Sequence, residues 1–305
     1  MPPASRTRIA LAFAVVYVVW GSTYLAIRIA VRDLPPALFA GMRFFIAGCL
    51  LGVFAALRGQ RLPKNRYDYM AAAFMGLMMV TFGNGLVTWG EQWIASNQAA
   101  LINSSSALWV AWFGTFGANG YALSWRKRIG VAVGFGGVAL MLLPGHGFTL
   151  AHLWAQTGIL LAAICWAAGA MFGRVARITT PALMFTALEM LFGGAALAAV
   201  GFGSGEVTQW HWTWTAGGAL AYLIVFGSCF AYTSYIWLLK YVTPDKLTTI
   251  SYVNPAIALL LGWMVLGESV AGARLIGMLI ILAGIVLAAV EPRRKPVATP
   301  KGGIE

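Results

Sequence analysis

The sequence predicts an all-α, polytopic membrane protein with ten transmembrane helices in two inverted five-helix repeats. The first observation is composition: 60% of the 305 residues are hydrophobic, only 10% are charged, and the mean hydropathy is +0.78. Soluble domains carry about 25% charged residues. The second observation is a succession of long apolar stretches, and the third is that the chain repeats itself.

The apolar stretches are of the length that a membrane-spanning helix requires, about 20 residues for roughly 30 Å of hydrocarbon. A transmembrane barrel is not favoured, because its strands would alternate apolar and polar residues and no such alternation is visible. The glycines within the stretches fit helices that pack closely. The predicted spans are 9–31, 36–57, 69–90, 98–119, 127–144, 154–175, 180–202, 214–238, 246–266 and 270–290.

The internal repeat has a spacing of 144 to 148 positions. At a spacing of 146, Trp20, Arg28, Pro35 and Phe39 recur as Trp166, Arg174, Pro181 and Phe185. Phe82-Gly83 returns as Phe226-Gly227, and Gly130 with Gly137 returns as Gly277 with Gly284. Such self-similarity dictates the architecture of a chain. We therefore divide the sequence into a first repeat (1–145), a second repeat (146–291) and a flexible tail (292–305).

The positive charges predict the orientation in the membrane. If the N-terminus is cytoplasmic, 17 of the 21 Lys and Arg residues fall on the cytoplasmic side, three fall on the other side, and Arg43 lies within a span. This bias is a strong positive-inside signal, and it places both termini in the cytoplasm. Basic loops that face anionic lipid explain the net charge of +12, so we predict the lipid bilayer as a partner and no nucleic acid.

The number of spans in each repeat determines the functional class. Five is odd, so the second copy enters the membrane from the opposite side, and inverted repeats are typical of secondary transporters. A duplicated packing unit without transport, or an integral membrane enzyme or receptor, is the alternative. His146, His152 and His211 lack ligand spacing, and no Walker A or H-E-x-x-H motif occurs. We predict no catalytic residue, metal or cofactor.

Several short motifs resemble the EamA group of the drug/metabolite transporter superfamily, and most closely its YedA-type exporters. They are Trp20-Gly21-Ser22-Thr23-Tyr24, the stretch from Pro35-Pro36 to Gly41-Met42-Arg43-Phe44, Gly83-Asn84-Gly85, Tyr252-Val253-Asn254-Pro255 and Leu266-Gly267-Glu268. The likeness covers about residues 9–290. It implies a ten-helix exporter of small metabolites, amino acids or drugs in the inner membrane of a bacterium. The halves differ where Ala107 stands at the position of Pro255.

Two charged residues within the spans are candidates for substrate binding. Arg43 and Glu189 are 146 positions apart, and each lies eight or nine residues from the end of its span. At 1.5 Å per residue both are roughly 12–14 Å deep, close to the bilayer midplane. A charge at that depth needs a partner or a water-filled cavity. They either pair across the two-fold axis, hold the two ends of a zwitterionic substrate, or form a purely structural ion pair.

The ninth span contains a predicted kink. Pro255 cannot donate to the carbonyl of Ser251, so the helix is expected to bend there, beside the binding candidates Tyr252 and Asn254. The fourth span has four consecutive polar residues in the equivalent place, of which Asn103 and Ser104 are binding candidates and Ser105 and Ser106 complete the run. Interrupted helices in matching places point to a transporter site. Interhelical hydrogen bonding is the alternative.

The third and eighth spans contain a similar pair of features. Gly83, Gly85 and Gly227 are predicted as weakly packed points at which a gate bends. Asn84, Thr88, Ser228 and Tyr232 lie on the same spans, and Trp20, Tyr24 and Trp166 add aromatic surface. Aromatic walls with a few polar groups suit amphipathic solutes. All seven are candidates for contact with a small-molecule substrate, although interfacial anchoring is the alternative for the tryptophans.

Two further features concern partners. The glycines at 130, 134, 137, 277 and 284 predict either tight packing of the fifth and tenth helices or a homodimer through them. Glu91 and Glu268 lie near the outer face, where they either pair with Arg28 or Arg274 or take part in proton coupling. Transport is expected to be driven by proton exchange or by the gradient of the solute itself.

Overall fold

The computed structural model describes residues 5–116, 123–142, 149–242, 244–247, 249–268 and 273–289, and every regular element in them is helical. The ten predicted helices are all found within these ranges. They are α1 (Arg6–Ala30), α2 (Pro36–Leu57), α3 (Arg66–Met75, Gly76–Asn84 and Gly85–Gly90), α4 (Ser96–Ser104 and Ser106–Phe113), α5 (Trp125–Leu142), α6 (Leu150–Val175), α7 (Ala182–Gly203), α8 (Trp214–Tyr222, Leu223–Phe230 and Ala231–Tyr241), α9 (Ile250–Leu266) and α10 (Ala273–Ala289).

Six helices in the described part of the chain are long and apolar enough to cross a membrane. They are Arg6–Ala30, Pro36–Leu57, Arg66–Gly90, Leu150–Val175, Ala182–Gly203 and Trp214–Leu238. Two shorter apolar helices, Ile250–Leu266 and Leu275–Ala288, accompany them. The expectation of an all-helical polytopic membrane protein is therefore confirmed.

The helices begin where the sequence offers a capping group. The side chains of Ser5, Asn65, Thr149 and Thr213 each accept a hydrogen bond from the backbone N–H three residues further on. Such caps satisfy one of the four backbone donors that a helix start leaves unpaired. Helix α2 starts instead with Pro36, whose fixed φ suits the first helical position.

Helices α3 and α8 each contain a π-helical segment, at Gly76–Asn84 and Leu223–Phe230. The two segments occupy equivalent places in the repeats, and π-helical turns are frequent at functional sites. The glycines in and beside them are closely packed. A Cβ on Gly85 would lie 2.6 Å from Leu197, and one on Gly83 would lie 3.3 Å from the ring of Trp166. The prediction that these glycines are weakly packed is therefore wrong, because neighbouring side chains fill the space they leave.

Helix α4 is interrupted, and the predicted kink at Pro255 of α9 stays a prediction. Helix α4 is interrupted at Ser105, whereas α9 continues through Pro255. In α4 the hydroxyl of Ser104 donates to the carbonyl of Leu101 at 2.6 Å. Serine side chains that bond to their own backbone compete with helical hydrogen bonds, which accounts for the interruption there. A short helix, Pro244–Leu247, precedes α9 where the prediction had one continuous span.

Helices α2 and α7 pack against each other through glycines. A Cβ on Gly41 would lie 2.5 Å from the backbone nitrogen of Ala198, and one on Gly48 would lie 2.9 Å from that of Leu191. Contact positions rise along α2 as they fall along α7, so the two helices are antiparallel. Gly194, the repeat equivalent of Gly48, approaches the backbone of α2 equally closely. Small residues at both helices allow this close approach.

Helices α5 and α10 also pack against each other through glycines. A Cβ on Gly130 would lie 2.7 Å from the carbonyl of Gly284, and one on Gly137 would lie 2.7 Å from the carbonyl of Gly277. Gly130 and Gly137 recur as Gly277 and Gly284, so the two contacts exchange partners between the repeats. These glycines serve packing within one chain, the first of the two predicted roles. The homodimer stays a prediction.

The connection that follows the second helix of each repeat forms a hydrogen bond with the other repeat. The side-chain oxygen of Gln60 accepts from the backbone N–H of Met184 at 3.1 Å, at the start of α7. Glu206 accepts from the backbone N–H of Leu38 at 2.7 Å, at the start of α2. Gln60 and Glu206 are 146 positions apart, as are Leu38 and Met184. Each copy therefore caps the second helix of the other copy.

A second pair of connections also joins the two repeats, with more hydrogen bonds in one connection than in the other. One carboxylate oxygen of Asp68, near the start of α3, accepts four hydrogen bonds of 2.6–3.1 Å from the backbone and side chains of Thr179 and Thr180. In the other half, the hydroxyl of Thr213 donates to Asp33 at 2.6 Å. Asp33 and Thr179 are repeat equivalents. Both repeats are thus tied to each other at their polar ends.

Candidate functional site

A cavity lies among α1, α2, α3, α4, α6, α8 and α9, which belong to both repeats. The space there that protein atoms leave free, including open solvent at the mouth, amounts to about 830 Å³. Eleven of the seventeen predicted site residues line it. They are Trp20, Tyr24, Arg43, Gly83, Asn84, Asn103, Ser104, Trp166, Tyr232, Asn254 and Pro255.

Arg43 contributes the positive charge of the cavity and is only 3% exposed. Its Nε donates to the hydroxyl of Ser228 at 3.0 Å, and its guanidinium carbon lies 4.5 Å from the centre of the Phe44 ring. Gly227 makes room for it, since a Cβ there would lie 3.3 Å from Nη2. Among the described residues, Nη1 has no hydrogen-bond partner. A buried donor of this kind is available to an anionic group of a ligand.

Glu189 is buried on α7 at 4% exposure, but it is not among the residues that line the cavity. Within the described part of the chain it forms no ion pair with Arg43, and its Oε1 has no hydrogen-bond partner. Tyr232, which does line the cavity, interacts electrostatically with both charges. The predicted direct pair is therefore absent from this structure. Arg43 instead bonds to Ser228, which lies on the neighbouring helix α8.

Two asparagines, on different helices, line the cavity. Asn103 on α4 donates through Nδ2 to the hydroxyl of Tyr24 at 2.8 Å. The Oδ1 atoms of Asn103 and of Asn254, on α9, are buried and lack a hydrogen-bond partner in the residues that the structure describes. Unpaired buried acceptors cost free energy until a donor reaches them. The cavity thus offers one cationic donor and two neutral acceptors.

The aromatic wall of the cavity is built around Trp20. Its ring centre lies 5.4 Å from that of Tyr232, edge to face, and 5.2 Å from that of Tyr235. The indole N–H donates to the carbonyl of Gly227 at 3.1 Å, within the π-helical segment of α8. This bond satisfies the polar atom of the tryptophan, so the ring presents an apolar face. Aromatic side chains with their polar tips occupied suit the apolar part of an amphipathic solute.

The remaining predicted residues support the cavity from outside it. The hydroxyl of Thr88 donates to the carbonyl of Asn84 at 2.9 Å, and Asn84 donates through Nδ2 to the carbonyl of Met79, also at 2.9 Å. These bonds satisfy carbonyls around the π-helical segment of α3. Tyr252 packs against a different buried cluster, which contains Leu101. Ser228, Gly227 and Gly85 also lie outside the lining, in the contacts described above.

Comparison with known proteins identifies the family. The model of the EamA-like transporter family matches residues 7–143 and again residues 153–290. The chain belongs to this family. It is 36% identical, over 93% of its own length and 92% of the relative, to the uncharacterized inner membrane transporter YedA of Escherichia coli K12. It is 23% identical to the uncharacterized transporter YoaV of Bacillus subtilis 168, over 92% of this chain and 96% of the relative.

A solved crystal structure shares the fold with this EamA-family chain. The TM-score is 0.64 and the sequence identity 20%, with 93% of this chain and 97% of the other covered. Family and relatives together establish a multi-pass membrane transporter of the inner-membrane type.

Sequence reasoning missed several lining residues of this EamA-family cavity. Thr23 and Ile27 on α1 and Val87 on α3 line it. Thr23 and Ile27 lie three and seven positions after Trp20, so they share one helical face with it. Val87 lies three positions after Asn84 in the same way. Counting three or seven positions along the helix from each predicted residue would have identified them.

Polar contacts in this EamA-family protein also join the C-terminal ends of α1, α3 and α9 to neighbouring helices. The carboxylate of Glu268 accepts from the backbone N–H and the hydroxyl of Ser96 at 2.9 and 2.8 Å, and from the backbone N–H of Asn97 at 3.1 Å. A carboxylate at a helix N-terminus is stabilising, so Glu268 caps α4. Arg28 donates to the backbone carbonyl of Glu91. The predicted partner Arg274 has a side chain outside the described part of the structure.

Proposed function

We propose that this EamA-family protein is a secondary-active transporter that exports small zwitterionic metabolites, such as amino acids, by alternating access between two inverted repeats. The observation that carries the proposal is the cavity between the two halves, with its unpaired cationic donor and unpaired amide acceptors.

The polar groups define the recognition of the substrate. Arg43 binds the substrate carboxylate through Nη1, because charge-assisted hydrogen bonds to carboxylates are the strong ones. The Oδ1 atoms of Asn103 and Asn254 accept hydrogen bonds from the substrate ammonium. Trp20 and Tyr232 contact the apolar side chain of the substrate. A zwitterion with an apolar side chain satisfies all of these groups at once.

The exchanged contacts support the inverted relation of the repeats. Helices α2 and α7 are antiparallel, as are α5 and α10, and each pair joins equivalent helices of the two copies. A two-fold axis in the membrane plane relates such pairs. Because each copy can adopt the conformation of the other, an inward-open and an outward-open form have similar free energies. The cytoplasmic placement of both termini and the export direction rest on the positive-inside bias and the family resemblance.

Counterflow in proteoliposomes tests the proposal. Purified protein is reconstituted, the vesicles are loaded with unlabelled neutral amino acids, and uptake of each amino acid in tritiated form is followed. We expect transient accumulation of at least one amino acid, and reduced accumulation for Asn254→Leu, which keeps the side-chain size but removes the acceptor. Everted inner-membrane vesicles should accumulate the same amino acid if the direction is export.

The alternative, an integral membrane enzyme or receptor without transport activity, gives a different result in the same experiment. A receptor would bind the labelled amino acid without exchanging it for the internal pool. An enzyme would release a chemically changed product. Absence of counterflow by folded protein for the whole panel would contradict the proposed function.

A further inference from the structure

We propose that Glu189 binds the proton that drives export, at a site separate from the substrate cavity and joined to it by Tyr232. This inference rests on the proposed function and names its coupling ion. The site consists of a buried carboxyl group on α7 and the buried Tyr232 on α8, which interacts electrostatically with both Glu189 and Arg43.

The first argument is that Glu189 has no cation to compensate it. Its Oε1 lacks a hydrogen-bond partner in the described residues, and the side chain is 4% exposed. Arg43, its repeat equivalent, is engaged by Ser228 at 3.0 Å. An isolated carboxylate in a medium of low polarity is costly, whereas the neutral acid is tolerated. The group is therefore stable in the closed protein only with a proton bound.

The second argument comes from the titratable groups on every helix that packs against α7. Helix α2 presents Arg43, and α8 presents Tyr232 and Tyr235, which both interact with Glu189. On α3, Asp68 is occupied by its four hydrogen bonds from the threonines before α7. Glu206, which follows α7, is occupied in capping α2. Tyr232 and Tyr235 are thus two hydroxyl-bearing side chains that interact with this carboxyl group.

Tyr232 supplies the route between the cavity and Glu189. It lines the cavity, and it is buried in one cluster with Ala187 and Met190, the neighbours of Glu189 on α7. Its hydroxyl has no hydrogen-bond partner among the residues that the structure describes. A hydroxyl both donates and accepts, so it can pass a proton between cavity water and the carboxyl group. In each cycle Glu189 takes up one proton from the outer side and releases one to the inner side while substrate moves outward.

Glu91 is a second buried acid with unpaired carboxylate oxygens in the described residues, and it differs from Glu189 in its cationic neighbours. It is 0% exposed and both of its oxygens lack partners in the described chain. Arg28, however, donates to the backbone carbonyl of the same residue and so places a positive charge beside it. Its carboxyl group thus has two cationic neighbours, Arg28 and Arg43, that partly offset the cost of burial. This makes Glu91 the matched control for Glu189.

The transport test separates proton coupling from exchange. Proteoliposomes with wild-type protein, Glu189→Gln or Glu91→Gln are assayed with the tritiated neutral amino acid that gives the largest counterflow. We expect Glu189→Gln to lose accumulation driven by a pH gradient while it still exchanges labelled for unlabelled amino acid, and Glu91→Gln to keep both. Accumulation driven by the pH gradient in Glu189→Gln, or its loss in Glu91→Gln alone, would overturn the proposal.

A second measurement needs no substrate, so it remains decisive even if wild-type counterflow fails and the proposed function falls. Infrared difference spectra of the purified protein at two pH values report the carbonyl stretch of protonated carboxylic acids. We expect a band in the wild type that is missing in Glu189→Gln and present, at a shifted frequency, in Glu189→Asp. Identical spectra of the wild type and Glu189→Gln would overturn the assignment of the proton to this residue.

Discussion

Replacement of Arg43 by Gln removes the cationic donor of the cavity and little else. The side chain makes one hydrogen bond, from Nε to the hydroxyl of Ser228 at 3.0 Å, and its Nη1 has no partner within the described residues. It also lies over the ring of Phe44 at 4.5 Å. If Nη1 binds the substrate carboxylate, Arg43→Gln loses a hydrogen bond between two charged groups.

The magnitude follows from the kind of bond that is lost. Hydrogen bonds to charged groups contribute about 1.5–3 kcal/mol. Since about 1.4 kcal/mol corresponds to a factor of ten in affinity, we expect the KM for counterflow to rise roughly 10- to 100-fold. The contact is made with bound substrate as well as during translocation. The maximal rate should therefore change less than KM.

Initial rates of counterflow in proteoliposomes, measured over a range of external amino acid concentrations, give KM and the maximal rate. Two variants control for indirect effects. Ser228→Ala removes the bond to Nε and leaves the guanidinium in place, so its KM should rise less than about tenfold. Arg58→Gln removes an arginine at the C-terminal end of α2, which lies over the ring of Phe54 at 4.9 Å, and it should leave KM unchanged.

The reasoning about Arg43 would be refuted by an unchanged KM in Arg43→Gln protein that elutes as a folded species. It would also be refuted if Arg58→Gln raised KM to the same extent, because the effect would then come from the loss of any positive charge on α2. Arg43→Lys is informative as well. Lysine keeps the charge without the planar fork, so it should restore only part of the affinity.

Three further predictions concern stability and are checked by thermal unfolding in detergent. Asp68→Ala leaves four donors unpaired and should destabilise by about 2–4 kcal/mol, whereas Asp33→Ala, which removes the single bond of the equivalent connection, should cost about 1 kcal/mol; equal losses would contradict this. Glu268→Ala removes the cap of α4 and should cost about 0.5–2 kcal/mol, and Glu268→Gln should recover part of it, a pattern that a mere surface charge would not give. Gly284→Ala places a Cβ within 2.6 Å of the backbone of α5 and should cost about 1–3 kcal/mol, while Gly136→Ala, with nothing within 4 Å, should be neutral; a neutral Gly284→Ala would refute the close helix contact.

The number of helices could be predicted from sequence because it depends on local hydropathy. Ten apolar stretches became ten helices in the described residues. The π-helical segments, Gly76–Asn84 and Leu223–Phe230, could not be predicted in the same way. An α-turn and a π-turn differ by one residue in hydrogen-bond spacing, and hydropathy does not respond to that difference. The break at Ser105 depends similarly on which carbonyls the neighbouring hydroxyl groups select.

The cavity could be predicted in part because buried charge and depth are visible in the sequence. Arg43 was predicted within a span and is buried there, yet its partner Ser228 depends on how α2 and α8 are rotated about their axes. Hydropathy within a span that is apolar on all sides does not define that rotation. Glu189 was grouped with the cavity for its symmetry with Arg43, and the structure places it outside the lining.

The hydrogen bonds that join the two repeats could also have been predicted from the sequence. Gln60 and Glu206 are separated by the repeat spacing of 146, and both are polar residues in the connection that follows an equivalent helix. Comparing the polar residues of the connections at that spacing would have paired them. Which helix each one caps still requires the antiparallel arrangement of α2 and α7.

The claim that the cavity opens alternately to the two sides of the membrane is tested most directly by labelling from each side. Ser106, which lines the cavity, is replaced by Cys in a protein whose three native cysteines have been changed to Ser. A membrane-impermeant thiol reagent is then added to right-side-out or to everted vesicles. We predict modification of Ser106→Cys from both sides, with protection by the exchanged amino acid. Modification from one side only, unaffected by that amino acid, would contradict alternating access.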